Sequence, residues 1–457
     1  MSDRKLRIGL AAYGTGWDAD AWRLPQATNT GLHDPSVIVD VARAAERGKL
    51  DYVFSGSALG SEPDHLQRIY RWDNFVYAGY AAAVTRNVGF LVSVNSSFEH
   101  PYGIARQLAT LDNFTKGRTA LNVVFGIDRE GDPARNYGRN PIPDEQTKYT
   151  RAREFTQVVN RLLYESWDAD FLLDDREKGV LIKPGSWQRI EHSGEHFEVR
   201  GPLNVPPPVQ RRIPNVHVGT SEESLRYGAD LAQVRFSPYL GIEQGKQEYR
   251  RLKERVAAAG RDPEKFKIIP GATFYLAGTR REAQAIYRQV TNFQLTEQIP
   301  EQFSLALGID LSRVRDNERV VDVVDLDTVA PDALEDFRRP LGREKRHVRG
   351  RDDREIIRGL VEALGEDLTL RELYHHVQRS RQGGQPALVG DAKTIADWVE
   401  ENFVERVLDG VQFFPPYHRG PADLLVDLLV PELQRRGLFR TEYEADTLQG
   451  LLDTDNG

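Results

Sequence analysis

Val218-Gly219-Thr220-Ser221-Glu222-Glu223-Ser224 sets hydroxyls and a glycine between a strand-like run and a helical pattern. Hydroxyls beside the free N–H groups of a helix N-terminus can hold an anion such as a phosphate. Ser221 and Ser224 also suit ordinary capping, so the residues alone leave both roles open. A second collection of polar groups lies in the segment from Val88 to Gly126. Val88, Phe90, Val92 and Val94 alternate with Gly89, Leu91, Ser93 and Asn95, and Ser96-Ser97 ends the run. Pro101 fits the first position of a helix, and Ile104, Leu108 and Leu111 share one of its faces. Leu121 to Phe125, with Asn122 among them, opens the next strand. Polar residues thus gather where strands end, which is where βαβ arrays place ligands.

Other chemistries fit poorly. Gly14-Thr15-Gly16-Trp17-Asp18-Ala19 has the glycine spacing of a dinucleotide fingerprint, but Pro25 cuts short the helix that a pyrophosphate needs. The chain has no cysteine, which excludes thiolate metal sites, cysteine nucleophiles and disulfides. Its ten histidines are scattered, and the first strand lacks a His-x-His pair, so no metal site is expected. No catalytic acid or base is assignable from spacing; Asp18, His33 and His100 are the candidates.

Eight strand-like runs must position these groups: Arg7–Tyr13, Asp51–Gly56, Val88–Asn95, Thr119–Gly126, Asn215–Thr220, Gln233–Ser237, Lys267–Ala277 and Gly410–Pro415. Helical patterns separate them, one running from Pro35 to Lys49 with Asp34 as its cap. Eight strands with helices between them predict an α/β fold, a (β/α)8 TIM barrel. The expectation is one domain over residues 1–457, with long insertions after strands 4 and 7 at about 168–214 and 298–385. The second insertion carries the charged run that includes Arg343 to Arg351, read as a lid over the barrel mouth. A net charge of −8 disfavours nucleic acid, and no stretch approaches the length of a membrane span. The N-terminus lacks a signal-peptide pattern, so a soluble cytoplasmic protein is expected.

The wording of several segments resembles the nitrilotriacetate monooxygenase family, within the bacterial-luciferase-like flavin monooxygenases. Ser96, Ser97, Pro101, Tyr102, Ala105, Arg106, Leu111, Asp112, Gly117, Arg118, Asn122, Val123 and Val124 match one family segment in order. Tyr149, Arg151, Ala152, Glu154 and Phe155 match a second, and Gly219, Ser221 and Glu222 fall on a third. The resemblance implies a luciferase-like barrel that uses reduced FMN and O2 to oxygenate a small organic substrate. A separate NAD(P)H:flavin reductase would supply the reduced FMN, and a homo-oligomer, dimer or tetramer, is expected. Ser57, Ser96, Ser97, Asn122, Glu145, Tyr149, Thr220 and Ser221 are the cofactor positions it implies, with Ser221 and Tyr149 on the phosphate. The chain also departs from the family. Ser57 replaces a flavin-contacting aspartate, Glu145 and Asp18 replace histidines, and Phe125-Gly126 replaces a Thr-Ser pair. Two rivals follow, a deazaflavin-dependent oxidoreductase of the same fold and a non-catalytic flavin-binding accessory subunit.

Overall fold

The computed structural model describes residues 4–18, 20–57, 59–60, 72–125, 132–141, 144–293, 299–331, 333, 352–380 and 385–453. The basic segment from Arg343 to Arg351, expected as a lid, lies outside the described residues, as do Ala19 and Gly126. Eight strands are β1 Arg7–Ala11, β2 Tyr52–Phe54, β3 Gly89–Asn95, β4 Thr119–Val124, β5 Asn215–Val218, β6 Val234–Ser237, β7 Lys267–Leu276 and β8 Gly410–Phe414. They follow the order β6-β5-β4-β3-β2-β1-β8-β7, and β6 pairs in turn with β7. The sheet therefore closes into a parallel (β/α)8 barrel, as the sequence predicts. A further strand, Ala387–Gly390, adds to β7 in parallel. By contacts the chain divides into two compact units.

One unit comprises Ile38–Arg235, Val256–Phe266 and Glu442–Gly457. All seven residues of β3 are buried, the continuous burial expected of a parallel strand covered on both faces. Register pairs Ser93 of β3 with Asn122 of β4, and Asn122 with Val216 of β5. Helix α1, Ser36–Arg47, begins beside Asp34, whose carboxylate accepts from the Ser36 N–H and hydroxyl at 2.9 and 2.7 Å. Helix α2, Asn74–Ala82, is capped by Asp73. Helix α3, Pro101–Thr115, carries Pro101 in its first turn as expected. Arg118 opens the way into β4 and donates to the carbonyls of Thr115, Val88, Ala82 and Thr85 and to the Thr85 hydroxyl. This buried cation ties the end of α2 to the β3 and β4 strands. Helices α4, Glu145–Tyr164, and α5, Glu222–Leu231, are capped by Asp144 and Ser221. The insertion between β4 and β5 holds two small antiparallel hairpins, Leu172–Asp175 with Val180–Ile182 and His192–Ser193 with Glu198–Val199.

The other unit comprises Met1–Val37, Phe236–Arg255 and Lys267–Thr441. Asp409, just before β8, anchors its strands. Its Oδ1 accepts from Tyr249 at 2.7 Å and Arg4 at 3.0 Å, and its Oδ2 from the Ile268 N–H at 2.9 Å. Lys253 lies 3.2 Å from Oδ2 and is itself nearly buried. The described helices of the insertion after β7 pack into a core with Tyr275, Tyr287, Phe303, Leu307, Leu370 and Leu373. Those described helices thus turn one apolar face to the interior of this unit.

Candidate active site

A hydrogen-bonded ladder crosses the C-terminal ends of β2, β3 and β4. The Ser93 hydroxyl donates to the Ser55 carbonyl at 3.2 Å, and Asn122 Nδ2 donates to Ser93 Oγ at 3.0 Å. Asn122 is buried, and among the described residues its Oδ1 accepts no hydrogen bond. A buried carbonyl oxygen left in that state costs about 1–3 kcal/mol, so it is suited to a ligand that brings an N–H or O–H. Beyond β3 the chain turns sharply. The Ser97 N–H donates to Asn95 Oδ1 at 3.0 Å, and Ser96 donates through N–H and hydroxyl to the Val124 carbonyl at 3.1 and 3.3 Å. Glu99 accepts from the Asn95 N–H. Burial pushes this carboxyl up to about 7, against that hydrogen bond and with help from Asp73. Glu99 can therefore exchange a proton near neutral pH.

The second half of the site follows β5. Gly219 holds φ at +148°, and a Cβ there would stand 2.3 Å from Ser224 Oγ and 3.5 Å from the Tyr149 hydroxyl. The bare backbone leaves a concave rim that any side chain would fill. Ser221 Oγ accepts from the Ser224 N–H at 3.3 Å as the cap of α5, and donates towards the Tyr149 hydroxyl at 3.5 Å. Both roles left open by the sequence coexist here, since capping leaves the hydroxyl at the helix mouth. Tyr149 is buried, 4.5 Å ring to ring from Phe125, and burial raises its pKa, so it stays a neutral phenol.

His217 lies beneath this rim, fully buried. Its Nε2 is 2.8 Å from Ser224 Oγ and its Nδ1 3.4 Å from the Val123 carbonyl. Burial, then the nearby Arg235 charge, lower its pKa to about 3, so the ring is neutral. The network assigns the proton to Nδ1, where the partner is a carbonyl, and leaves Nε2 to accept from Ser224. Arg151 joins the two halves: from α4 its Nε donates to the Ser96 carbonyl at 3.1 Å, and its guanidinium covers the Phe197 ring at 4.2 Å.

Ser96, Ser97, Asn122, Thr220 and Ser221 thus occupy strand ends and adjoining turns of one compact unit, and Tyr149 comes from α4 of the same unit. Ser57 is three residues past β2 and partly buried. Glu145 is exposed on the first turn of α4, near enough for its charge to act on Tyr149. His100 caps α3, its Nδ1 accepting from the Tyr102 N–H at 3.3 Å. Asp18 and His33 belong to the other unit. Asp18 is buried and accepts from Tyr275 at 2.6 Å and from the Asp20 N–H at 3.0 Å, while His33 is exposed. Sequence reasoning did not single out Ser93, Glu99, His217 or Arg235 for this site. Only Ser93 left a usable signal, its place beside Asn122 in a parallel register.

A closed parallel barrel with ligand-holding side chains on its C-terminal strand ends is the architecture of an α/β-barrel enzyme. The profile of the Luciferase-like monooxygenase family matches residues 19–410, and the chain belongs to that family of oxidoreductases. It is 34% identical to nitrilotriacetate monooxygenase component A of Aminobacter aminovorans, covering 99% of this chain and 97% of that one. It is 31% identical to N-acetyl-S-(2-succino)cysteine monooxygenase of Bacillus subtilis (strain 168), covering 98% and 96%. In fold it is similar to the crystal structure of a long-chain alkane monooxygenase, with a TM-score of 0.78 at 24% identity over 99% and 96% of the chains.

Proposed function

We propose that this monooxygenase is the oxygenating component of a two-component system. It takes reduced FMN from a separate NAD(P)H:flavin reductase and inserts one atom of O2 into a small organic substrate. The observation that carries the reading is the pairing of a buried, unsatisfied Asn122 Oδ1 with the glycine rim at Gly219. These suit the two ends of FMN, a ring edge that donates hydrogen bonds and a phosphate that accepts them. The near full-length similarity to a component A supports the division of labour. Bound reduced FMN supplies the electrons that activate O2.

The chain's own groups bind, orient and shield. Asn122 Oδ1 accepts from the ring edge, and the Ser96-Ser97 turn, held by Asn95 and Val124, walls it. Ser57 and Glu145 stand at the rim. Ser221, Tyr149 and the Thr220 backbone take the phosphate, the neutral phenol as a donor. Glu99 holds a proton below about pH 7 beside the Ser96-Ser97 turn. Residues 1–457 are proposed to act as one luciferase-like catalytic domain in the cytoplasm. Among the described residues no helix is long and apolar enough to cross a membrane.

The purified chain is expected to bind reduced FMN in anaerobic titration and to leave NADH and NADPH untouched. Adding an unrelated flavin reductase with FMN should then start O2-dependent product formation on a cognate substrate. Sustained NADH oxidation by the chain alone would end the two-component reading. Tight binding of a reduced deazaflavin in place of FMN would replace the cofactor.

A homo-oligomer is proposed through the outer face of α2. Val76 and Tyr80 lie on α2, with Trp72 just before it and Val84 just after it at the same four-residue interval, and the four in chain order are 39%, 73%, 54% and 40% exposed. An apolar helix stripe of that kind suits a second copy of itself. Tyr80→Glu should shift sedimentation towards a single 51.8 kDa chain. An unchanged assembly would clear this face of the role.

A further inference from the structure

Arg235, at the second position of β6, is 2% exposed and is among the largest fully buried side chains of the described residues. Its guanidinium donates to the Gly219 carbonyl, the last peptide before the hydroxyl-rich turn. The Gly219–Thr220 bond is trans, so its N–H points away from its C=O. Fixing the carbonyl downward on Arg235 therefore fixes the Thr220 N–H upward, on the side of Ser221 and Tyr149. Gly219 at φ +148° is the residue that lets the peptide take this attitude.

The charge has a second effect. A buried guanidinium stays protonated, and it lies close enough to act on both His217 and Tyr149, adding to the burial that lowers the pKa of His217 and opposing the burial that raises that of Tyr149. Arg235 thus sets a buried positive charge beneath the rim, while Glu145 acts on Tyr149 in the opposite sense and Glu222 and Glu223 occupy the first turn of α5.

We propose that Arg235 is the positioning residue of the phosphate cradle: it clamps the Gly219 carbonyl, aims the Thr220 N–H, and makes the site select a dianionic phosphate. The proposal rests on the FMN reading above and adds a residue and a charge requirement to it.

Binding of FMN and of riboflavin, measured separately by fluorescence quenching, isolates the phosphate contribution. Wild-type protein should prefer FMN. Arg235→Gln, which keeps a donor and loses the charge, should lower FMN affinity at least about tenfold and leave riboflavin affinity within about twofold. Arg235→Lys, which keeps the charge, should retain most of the preference. Phosphorus NMR of FMN bound to the wild type gives a readout that a purely structural role would not move. The bound phosphate should stay dianionic well below pH 6, about where a free phosphate monoester takes up its second proton.

The outcomes separate the two claims. Wild-type protein that binds FMN and riboflavin equally removes the phosphate cradle itself. Wild-type preference that persists in a folded Arg235→Gln variant overturns the role of Arg235 alone. Should that variant not fold, a bound phosphate titrating near pH 6 in the wild type overturns it equally.

Discussion

Asp409→Ala is expected to destabilise the protein by about 3–5 kcal/mol, the usual cost of stranding a buried charge by removing its partner. Lys253 and Arg4 both lean on this carboxylate, and the Ile268 N–H and Tyr249 hydroxyl complete its shell. Burial by itself would raise the acid, but Lys253, the Ile268 N–H, Arg4 and Tyr249 outweigh it and the pKa falls below the usual carboxylate range. A lowered native pKa gives stability that is present above the unfolded value of about 3.9 and is lost as pH falls through the native one. Urea unfolding at neutral pH should show the loss directly. As pH drops below about 4, wild type should lose stability faster than the variant, so the gap between them narrows. A wild-type midpoint in Asp409→Ala would show that the cluster contributes nothing net.

Gly219→Ala should come close to abolishing FMN binding. Its Cβ would stand 2.3 Å from Ser224 Oγ, and its φ of +148° lies where an L side chain is strained by about 1–3 kcal/mol. Ser224 is held by the neutral His217, so the rim cannot yield without breaking that bond. A fall of at least about 50-fold in FMN affinity is expected, from lost contacts to a charged group added to the displaced turn. Gly179→Ala is the control. It also has positive φ, +65°, but a Cβ there meets nothing within 4 Å. It should leave flavin affinity alone. Equal affinities for wild type and Gly219→Ala would place the phosphate elsewhere.

The barrel is largely legible in the sequence because its strands are buried on both faces. Every one of the eight apolar runs contains one barrel strand, though several runs overshoot. Arg7–Tyr13 ends as a strand at Ala11, and Asp51–Gly56 is strand only over Tyr52–Phe54. Most of the overshoot falls at the C-terminal ends, where the chain leaves the sheet, while Asp51–Gly56, Val88–Asn95 and Gln233–Ser237 also start one residue early. Helix starts were readable where the residue type does the capping, as at Asp34 and Pro101. His100 as the cap of α3 was not, since histidine has no strong preference for that position. In the site, Ser96, Asn122, Tyr149 and Ser221 stood out by motif. His217, Arg235 and Glu99 did not, because their character comes from neighbours distant in sequence. His217 is buried against a carbonyl 94 residues away, and nothing local to it announces a pKa near 3. The composition of the insertion after β7 did not point to the helices whose Phe303, Leu370 and Leu373 are core.

The ladder from Ser55 to Asn122 has a direction. A hydroxyl owns one proton, and Ser93 gives its proton to the Ser55 carbonyl. It can then only receive from Asn122, which fixes the amide with nitrogen towards Ser93 and oxygen towards the proposed ring edge of the flavin. The amide cannot flip without leaving two acceptors face to face. On the proposed reading the site would sort what enters by proton inventory as well as by shape. A molecule of the right outline that offers a lone pair at this point meets another lone pair, and one that offers a proton is kept.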